Sequence, residues 1–415
     1  MKKKRLVIFA GFLVLSGIAI FVFMGGEQTQ IEESELEAEQ IPYSIQGPHT
    51  VGYRPNISPD SFPLKVHIWY PASNSDQMEK DIQYRYSMKF GKPLGNTTIA
   101  TYSGMAIPEG NKDDLRGPYP LVILSPGFSI GSTAYAWLAE HIASYGFVVI
   151  SPEHIEHLDP EDQLWRSAIE RPNDIVELLA VVDGIIDEGG FLNGLAAPNQ
   201  IAIVGHSYGG YTALSAGGAK IHSRSFESHC REAIETEEPG AWLCEMLVTH
   251  IRDMAEAAGF DSNEDAYRAA EIDPRISAIV PIAGDAFFFG PEGLAEIEIP
   301  VLAIGGTDDV DSPYLWGTYP TFEYANSGYK ALVGLRGAEH MIFTGPCENV
   351  RWFIRPLTGE FCSDGDWNRA TAHSLTKHFV TAFLLCELKN DEEARIYLNP
   401  MNAEIQEIDF ASMGY

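Results

Sequence analysis

Six short, nearly unbroken apolar runs constrain the fold of this chain more than any other feature. They are PLVILSP (120–126), FVVIS (147–151), QIAIVG (200–205), ISAIVPIAG (276–284), IPVLAIGG (299–306) and KALVGL (330–335). A strand exposed on one face alternates apolar with polar residues, whereas a strand covered on both faces reads as a continuous apolar run. Stretches with helical spacing lie between several of the runs: AYAWLAEHIASYG (134–146), PNDIVELLAVVDGII (172–186) and the residues after Ser207. Parallel strands need long crossovers and hairpins do not, so this alternation predicts an α/β fold, a mostly parallel sheet flanked by helices. LKVHIWYP (64–71) alternates instead and reads as an antiparallel edge-type strand. AHSLTKHFVTAFLLCEL (372–388) reads as a closing amphipathic helix.

Residues 220–272 break this rhythm. They are charged and helix-forming, and they read as a helical cap inserted into the sheet domain, of the kind that covers a substrate pocket. The expected organisation is a domain over 47–390 with the cap inside it, an acidic linker over 27–46 and a C-terminal tail over 391–415. At the N-terminus, Lys2 to Arg5 form a basic cluster, and Leu6 to Met24 are almost entirely apolar. About 20 apolar residues suffice to cross a bilayer. With no A-x-A cleavage site behind the run, residues 1–26 read as an uncleaved signal-anchor. That transmembrane helix would tether the remaining chain to the membrane on its extracytoplasmic side, and cleavage would make it secreted.

Charge narrows the partners. The chain holds 28 basic and 58 acidic residues, a formal net charge of −30. Such a surface repels phosphate backbones, so nucleic acid is not a partner, and it disfavours docking on strongly anionic lipids. An exported domain permits disulfides. Cys230 with Cys244, and Cys347 with Cys362, would each close a short loop, while Cys386 lies in an apolar helical run and reads as a buried free thiol.

The stretch IAIVGHSYGGYTAL (201–214) carries the chemistry. Gly205-His206-Ser207-Tyr208-Gly209 fits G-x-S-x-G, directly after an apolar strand and before a helical run. On a sharp strand-to-helix turn the serine hydroxyl stands clear of the backbone, and the flanking positions must be small. A nucleophilic serine needs a base, and in this arrangement the chain order is serine, acid, histidine. His340, in the loop after the run at 330–335, is the expected base; His373 and His378 fall on the C-terminal helix. The orienting carboxylate stands at one of two strand ends: Asp285 in IAGDAFFFG, or Asp308, Asp309 or Asp311 in IGGTDDVDSP. The backbone N–H groups of Phe128, in the loop SPGFSIGS (125–132), and of Tyr208 are the expected oxyanion donors. SPEHIEHLDPED (151–162) is rich in His and carboxylates but sets no third ligand at a fixed spacing, so it reads as a polar pocket rim, not a metal site.

With these residues placed, the chain resembles the α/β-hydrolase superfamily over about residues 47–388. It is most similar to the platelet-activating-factor acetylhydrolase and dienelactone-hydrolase-like branch. GPHTVGYRPN followed by LKVHIWYPAS resembles that branch's entry segment; PLVILSPGFS, YGFVVISPEH, NQIAIVGHSYGGYTAL and GAEHMIF follow in its order. The SPGF element is also similar to that of cutinase-like polyester hydrolases. The resemblance implies a serine esterase using Ser207 and His340. Many bacterial members carry the acid in a Gly-x-x-Asp turn before Pro, which Asp309 matches; animal acetylhydrolases carry it where Asp285 stands. Asp309 is therefore the expected acid, with Asp285 the alternative. The expected substrates are small short- or medium-acyl esters, extending to phospholipids with a short or oxidised acyl chain, and no cofactor is implied. The rivals are a cutinase-like polyesterase, an amidase or peptidase, and a non-catalytic binding protein on a hydrolase scaffold.

Overall fold

The computed structural model describes residues 41–415 except 58, 60–61, 74–81, 351–360, 363, 402–404 and 406. Its strands are β1 (Thr50–Arg54), β2 (Lys65–Ala72), β3 (Gln83–Lys89), β4 (Asn96–Ser103), β5 (Ile107–Pro108), β6 (Tyr119–Ser125), β7 (Val148–Glu153), β8 (Ala196–His206), β9 (Ile221–His222), β10 (Ala266–Tyr267), β11 (Ile276–Ile282), β12 (Val301–Gly306), β13 (Lys330–Leu335) and β14 (Ile408–Met413). Its α-helices are α1 (Ala136–Ser144), α2 (Pro160–Ile186), α3 (Tyr208–Ala216), α4 (Ser223–Glu235), α5 (Ala241–Leu247), α6 (Ile251–Ala257), α7 (Gly290–Leu294), α8 (Thr318–Tyr324), α9 (Arg369–Lys389) and α10 (Glu392–Ile396).

The six apolar runs form the six central strands of one sheet, in the order β13–β12–β11–β8–β6–β7, each pair parallel. Neighbouring residues on a strand point to opposite faces. Ile201 and Ile203 of β8 accordingly join one core cluster with α2, α3 and the cap. Ala202 and Val204 join another, with α1 and α9. Both faces are dry, which is why none of the six runs shows a polar period.

The margins differ from expectation. β2 is antiparallel but not an edge, because it pairs with β7 on one side and β1 on the other. Its alternation marks a polar face, where His67 meets the Tyr53 hydroxyl at 2.8 Å. Residues 391–415, read as a tail, contain β14, which pairs antiparallel with β13 from Lys330↔Met413 to Leu335↔Ile408.

Helix α2 starts twelve residues before the sequence pattern suggested, and it runs through Pro172. A proline has no N–H for the carbonyl four residues earlier, so a helix interior normally breaks there. Here the Tyr211 hydroxyl donates to that carbonyl, Ala168 O, at 2.8 Å. A tertiary contact thus replaces the missing helical bond.

The inserted segment leaves and returns through the antiparallel pair β9–β10. Cys230 of α4 and Cys244 of α5 form a disulfide, as do Cys347 and Cys362, while Cys386 is free and buried. The cap helices α5 and α6 pack on α2.

One set of expectations is corrected. Residues 1–40, which carried the signal-anchor reading, lie outside the described residues. Among the described residues no helix is long and apolar enough to cross a membrane. The 27-residue α2 is long enough, but charges such as Arg166, Glu170, Glu177 and Asp183 recur along it. The transmembrane helix, the membrane contact through an N-terminal helix and the membrane-anchored location are corrected to that extent: no described helix supports them. The two disulfides are consistent with an extracytoplasmic or secreted protein.

Candidate active site

At the end of β8 the backbone turns sharply into α3. Ser207 sits on that turn with φ 57° and ψ −123°, a conformation that non-glycine residues avoid. The glycines beside it are required by contact. A Cβ on Gly205 would lie 2.0 Å from Gly209 O, and one on Gly209 would lie 2.1 Å from Ser125 O. The turn is pinned by Ser207 N–H donating to Ile282 O of β11 at 2.8 Å. The side chain stays half-buried and reachable.

His340 follows β13 and Asp309 follows β12, so both arrive at the same sheet edge as Ser207. His340 Nε2 lies 2.8 Å from Ser207 Oγ, and His340 Nδ1 lies 2.7 Å from Asp309 Oδ2. A carboxylate oxygen can only accept, so in the neutral imidazole Nδ1 carries the hydrogen and Nε2 is free to take the serine proton. Asp309 is held in turn: its Oδ1 accepts from the N–H groups of Asp311 and Ser312 at 2.9 and 2.8 Å. Burial alone would lower the His340 pKa, but the charge and hydrogen bond of Asp309 outweigh it and raise it to about 9.

Asp285, the other candidate acid, is close but not on the imidazole. Its Oδ1 accepts the Ser312 hydroxyl at 2.7 Å, and Ser312 N–H in turn faces Asp309. Burial raises its pKa to about 7. A raised carboxyl pKa costs stability once the group is charged, so Asp285→Asn should raise Tm above pH 7 and leave it unchanged near pH 4. The gain should be about 1–2 °C per kcal/mol relieved in a domain of this size. Thermal melts at both pH values check this.

The other candidates lie elsewhere. Asp308 is exposed. His373 is stacked on Trp137 at 3.7 Å, and its Nε2 meets the Ile342 and Thr344 carbonyls. His378 meets Pro42 O. Phe128 lies on the loop after β6, and Tyr208 is the first residue of α3. Among the described residues, neither backbone N–H has an acceptor. For Tyr208 this is the ordinary condition of a helix start.

Residues outside the expected set tie this site together. Tyr135 O–H donates to His206 Nδ1 at 2.8 Å, and His206 Nε2–H donates to the His340 carbonyl at 3.1 Å. Gly127 N–H donates to the Tyr135 hydroxyl at 3.1 Å. A histidine set between a fully buried strand and the serine was the available signal. The segment 151–162 is no pocket rim at its centre. His154 bridges Asp174 at 2.6 Å and Ser125 at 3.1 Å, and Glu156 pairs with Arg171 at 2.5 Å; of these five groups all but Asp174 are buried. Ser125–His154–Asp174 has the residue types of a catalytic triad, but its serine has no exposed surface.

Comparison with known proteins agrees with the architecture. The family described as Chlorophyllase matches residues 111–225, and that described as Platelet-activating factor acetylhydrolase, isoform II, matches residues 36–159. Cutinase 2 of Thermobifida cellulosilytica is 34% identical over 93 residues, 22% of this chain and 32% of that protein. Cutinase est1 of Thermobifida alba is 32% identical over 93 residues, 22% of this chain and 28% of that protein. Bis(hydroxyethyl) terephthalate hydrolase of Streptomyces coelicolor is 30% identical over 100 residues, 24% of this chain and 29% of that protein. The chain thus spans about a third or less of the length of these relatives. Fold and matches together define an α/β-hydrolase. Within that class its affinities are with the platelet-activating factor acetylhydrolases and the cutinases.

Proposed function

We propose that the protein is a serine hydrolase of carboxylic esters with short or medium acyl groups, including phospholipids with a short sn-2 acyl chain. The observation that carries this reading is the continuous relay from Ser207 Oγ through His340 to Asp309, with contacts of 2.8 and 2.7 Å. Ser207 Oγ attacks the ester carbonyl carbon as its proton passes to His340 Nε2. The carbonyl oxygen becomes an oxyanion facing the Phe128 and Tyr208 N–H groups. Collapse expels the alkoxide, which takes the proton from His340 and leaves as the alcohol. Water then repeats the sequence on the acyl-enzyme, releasing the acid and restoring Ser207.

The cap supports a small substrate over a polymer. Its charged helices would obstruct a polymer chain, and the net charge of −30 favours a neutral or zwitterionic ester over a strongly anionic one. The cutinase matches keep a polyesterase as the second reading. Rates on nitrophenyl acetate, butyrate and dodecanoate, on a 1-alkyl-2-acetylglycerophosphocholine and on a polyester film separate the two. Turnover falling steeply with acyl length and absent on the film is expected. Film hydrolysis would favour the polyesterase, and no turnover of any ester would overturn both.

The His340 environment sets the pH dependence. Neutral imidazole is the base, and its pKa of about 9 means the protonated form dominates at neutral pH. kcat/KM on a neutral ester is therefore expected to rise with pH and reach half its plateau near pH 9, as a stopped-flow pH profile would read.

A further inference from the structure

We propose that Arg171 and Glu156, buried beneath the loop after β6, are positioning residues that hold the loop's peptide planes so that the Phe128 N–H faces the reacting carbonyl. This rests on the esterase reading and adds to it a device outside the triad.

The loop's hydrogen bonds point to this role. Gly127 N–H donates to Tyr135, Ser129 N–H to Glu156 Oε1, Ile130 N–H to Gly127 O and Gly131 N–H to Ser87 O. From 127 to 131, only the Phe128 N–H has no acceptor among the described residues. The Arg171 guanidinium spans the other side, with Nη1 on Pro126 O at 2.7 Å and Nη2 on Gly127 O at 3.0 Å. In a trans peptide the C=O and N–H of one unit point in opposite directions. Gly127 O and Phe128 N–H belong to the same unit. Pulling Gly127 O toward Arg171 therefore drives the Phe128 N–H the other way. A flipped unit would withdraw that donor from the oxyanion.

Glu156 completes the clamp on the following unit. Ser129 has φ 59°, a conformation that resists a side chain, and its N–H is held by Glu156 Oε1 at 3.1 Å. The same oxygen takes Arg171 Nη2 at 2.5 Å. Burial would raise the Glu156 pKa, but the Arg171 charge overrides it and holds the carboxyl well below the usual range. Arg171 and Glu156 are 1% and 2% exposed. A buried ion pair seldom stabilises a fold more than a neutral pair of the same shape. Orientation of the loop is what this one supplies.

The test is Arg171→Met combined with Glu156→Gln, which removes both charges and leaves an acceptor for Ser129 N–H. The double variant is expected to melt at or above the wild-type Tm. Its kcat on nitrophenyl butyrate should fall about 10²–10³-fold, the effect of losing one oxyanion donor. KM should stay within about threefold, since a donor used only in the transition state acts on kcat. The Ki of a trifluoromethyl ketone, whose hemiketal oxygen occupies the oxyanion position, should weaken in step with kcat. Arg171→Lys keeps the charge paired with Glu156 but cannot reach both carbonyls, and it should lose at least about tenfold in kcat while folding normally. A folded double variant with wild-type kcat, or unchanged trifluoromethyl ketone affinity, overturns the positioning role and leaves the esterase reading standing. A wild-type protein that turns over no ester overturns both.

Discussion

Ser207→Ala should lower kcat on a nitrophenyl ester by about 10⁴–10⁶-fold while leaving Tm and KM nearly unchanged. The alanine keeps the Cβ that the turn at φ 57° already accommodates. Only the hydroxyl 2.8 Å from His340 Nε2 is lost. Without it no acyl-enzyme can form, and what remains is attack by water beside an intact oxyanion site. A fluorophosphonate probe should label the wild-type chain at Ser207 and leave the variant unlabelled. Wild-type protein that resists the probe while folded would leave a binding protein on a hydrolase scaffold as the better account. Persistent labelling of Ser207→Ala would move the nucleophile elsewhere, although Ser125, whose hydroxyl also meets a histidine, is sealed from solvent.

Asp309→Asn is the second large effect, about 10⁴-fold in kcat. Two N–H groups, those of Asp311 and Ser312, point at Asp309 Oδ1. An asparagine therefore keeps its amide oxygen there and turns its NH₂ to His340 Nδ1. The ring must then accept at Nδ1 and place its hydrogen on Nε2, where it cannot take a proton from Ser207. Asp285→Asn should change kcat less than about tenfold, because that carboxyl accepts the Ser312 hydroxyl and makes no hydrogen bond to the imidazole. Steady-state rates of the two variants, measured side by side, decide the acid. A reversed order would make Asp285 the orienting group. The pair also tests pH dependence, since losing the Asp309 carboxylate removes the chief influence that raises the His340 pKa.

The legible parts of this molecule were those written in a few adjacent residues. A strand dry on both faces must be apolar at every position, so β6, β7, β8, β11, β12 and β13 stand out as runs. The strand margins were harder. β14 is an edge strand whose residues are mostly only half-buried, and IDFASM carries no strong period. Helix α2 was cut short at Pro172 because nothing local announces a hydroxyl from Tyr211 arriving to satisfy Ala168 O. The segment at 151–162 looked like surface because its His and Glu residues are polar; their burial depends on Asp174 and Arg171, which lie on the next helix.

By itself the sequence determined the parallel sheet and the serine on its sharp turn, because each follows from sterics and periodicity within a short window. Gly205 and Gly209 had to be glycine for the turn to close, and that requirement can be read from five residues. Tertiary structure alone put the expected carboxylate, Asp309, and not its alternative Asp285, on His340, and decided what braces the loop that presents Phe128. Those choices turn on how far one strand end stands from the next. Asp309 and His340 are 31 positions apart yet 2.7 Å apart in space, a distance set by the packing of β12 against β13. Arg171 reaches Gly127 over 44 positions, because α2 crosses over the loop after β6.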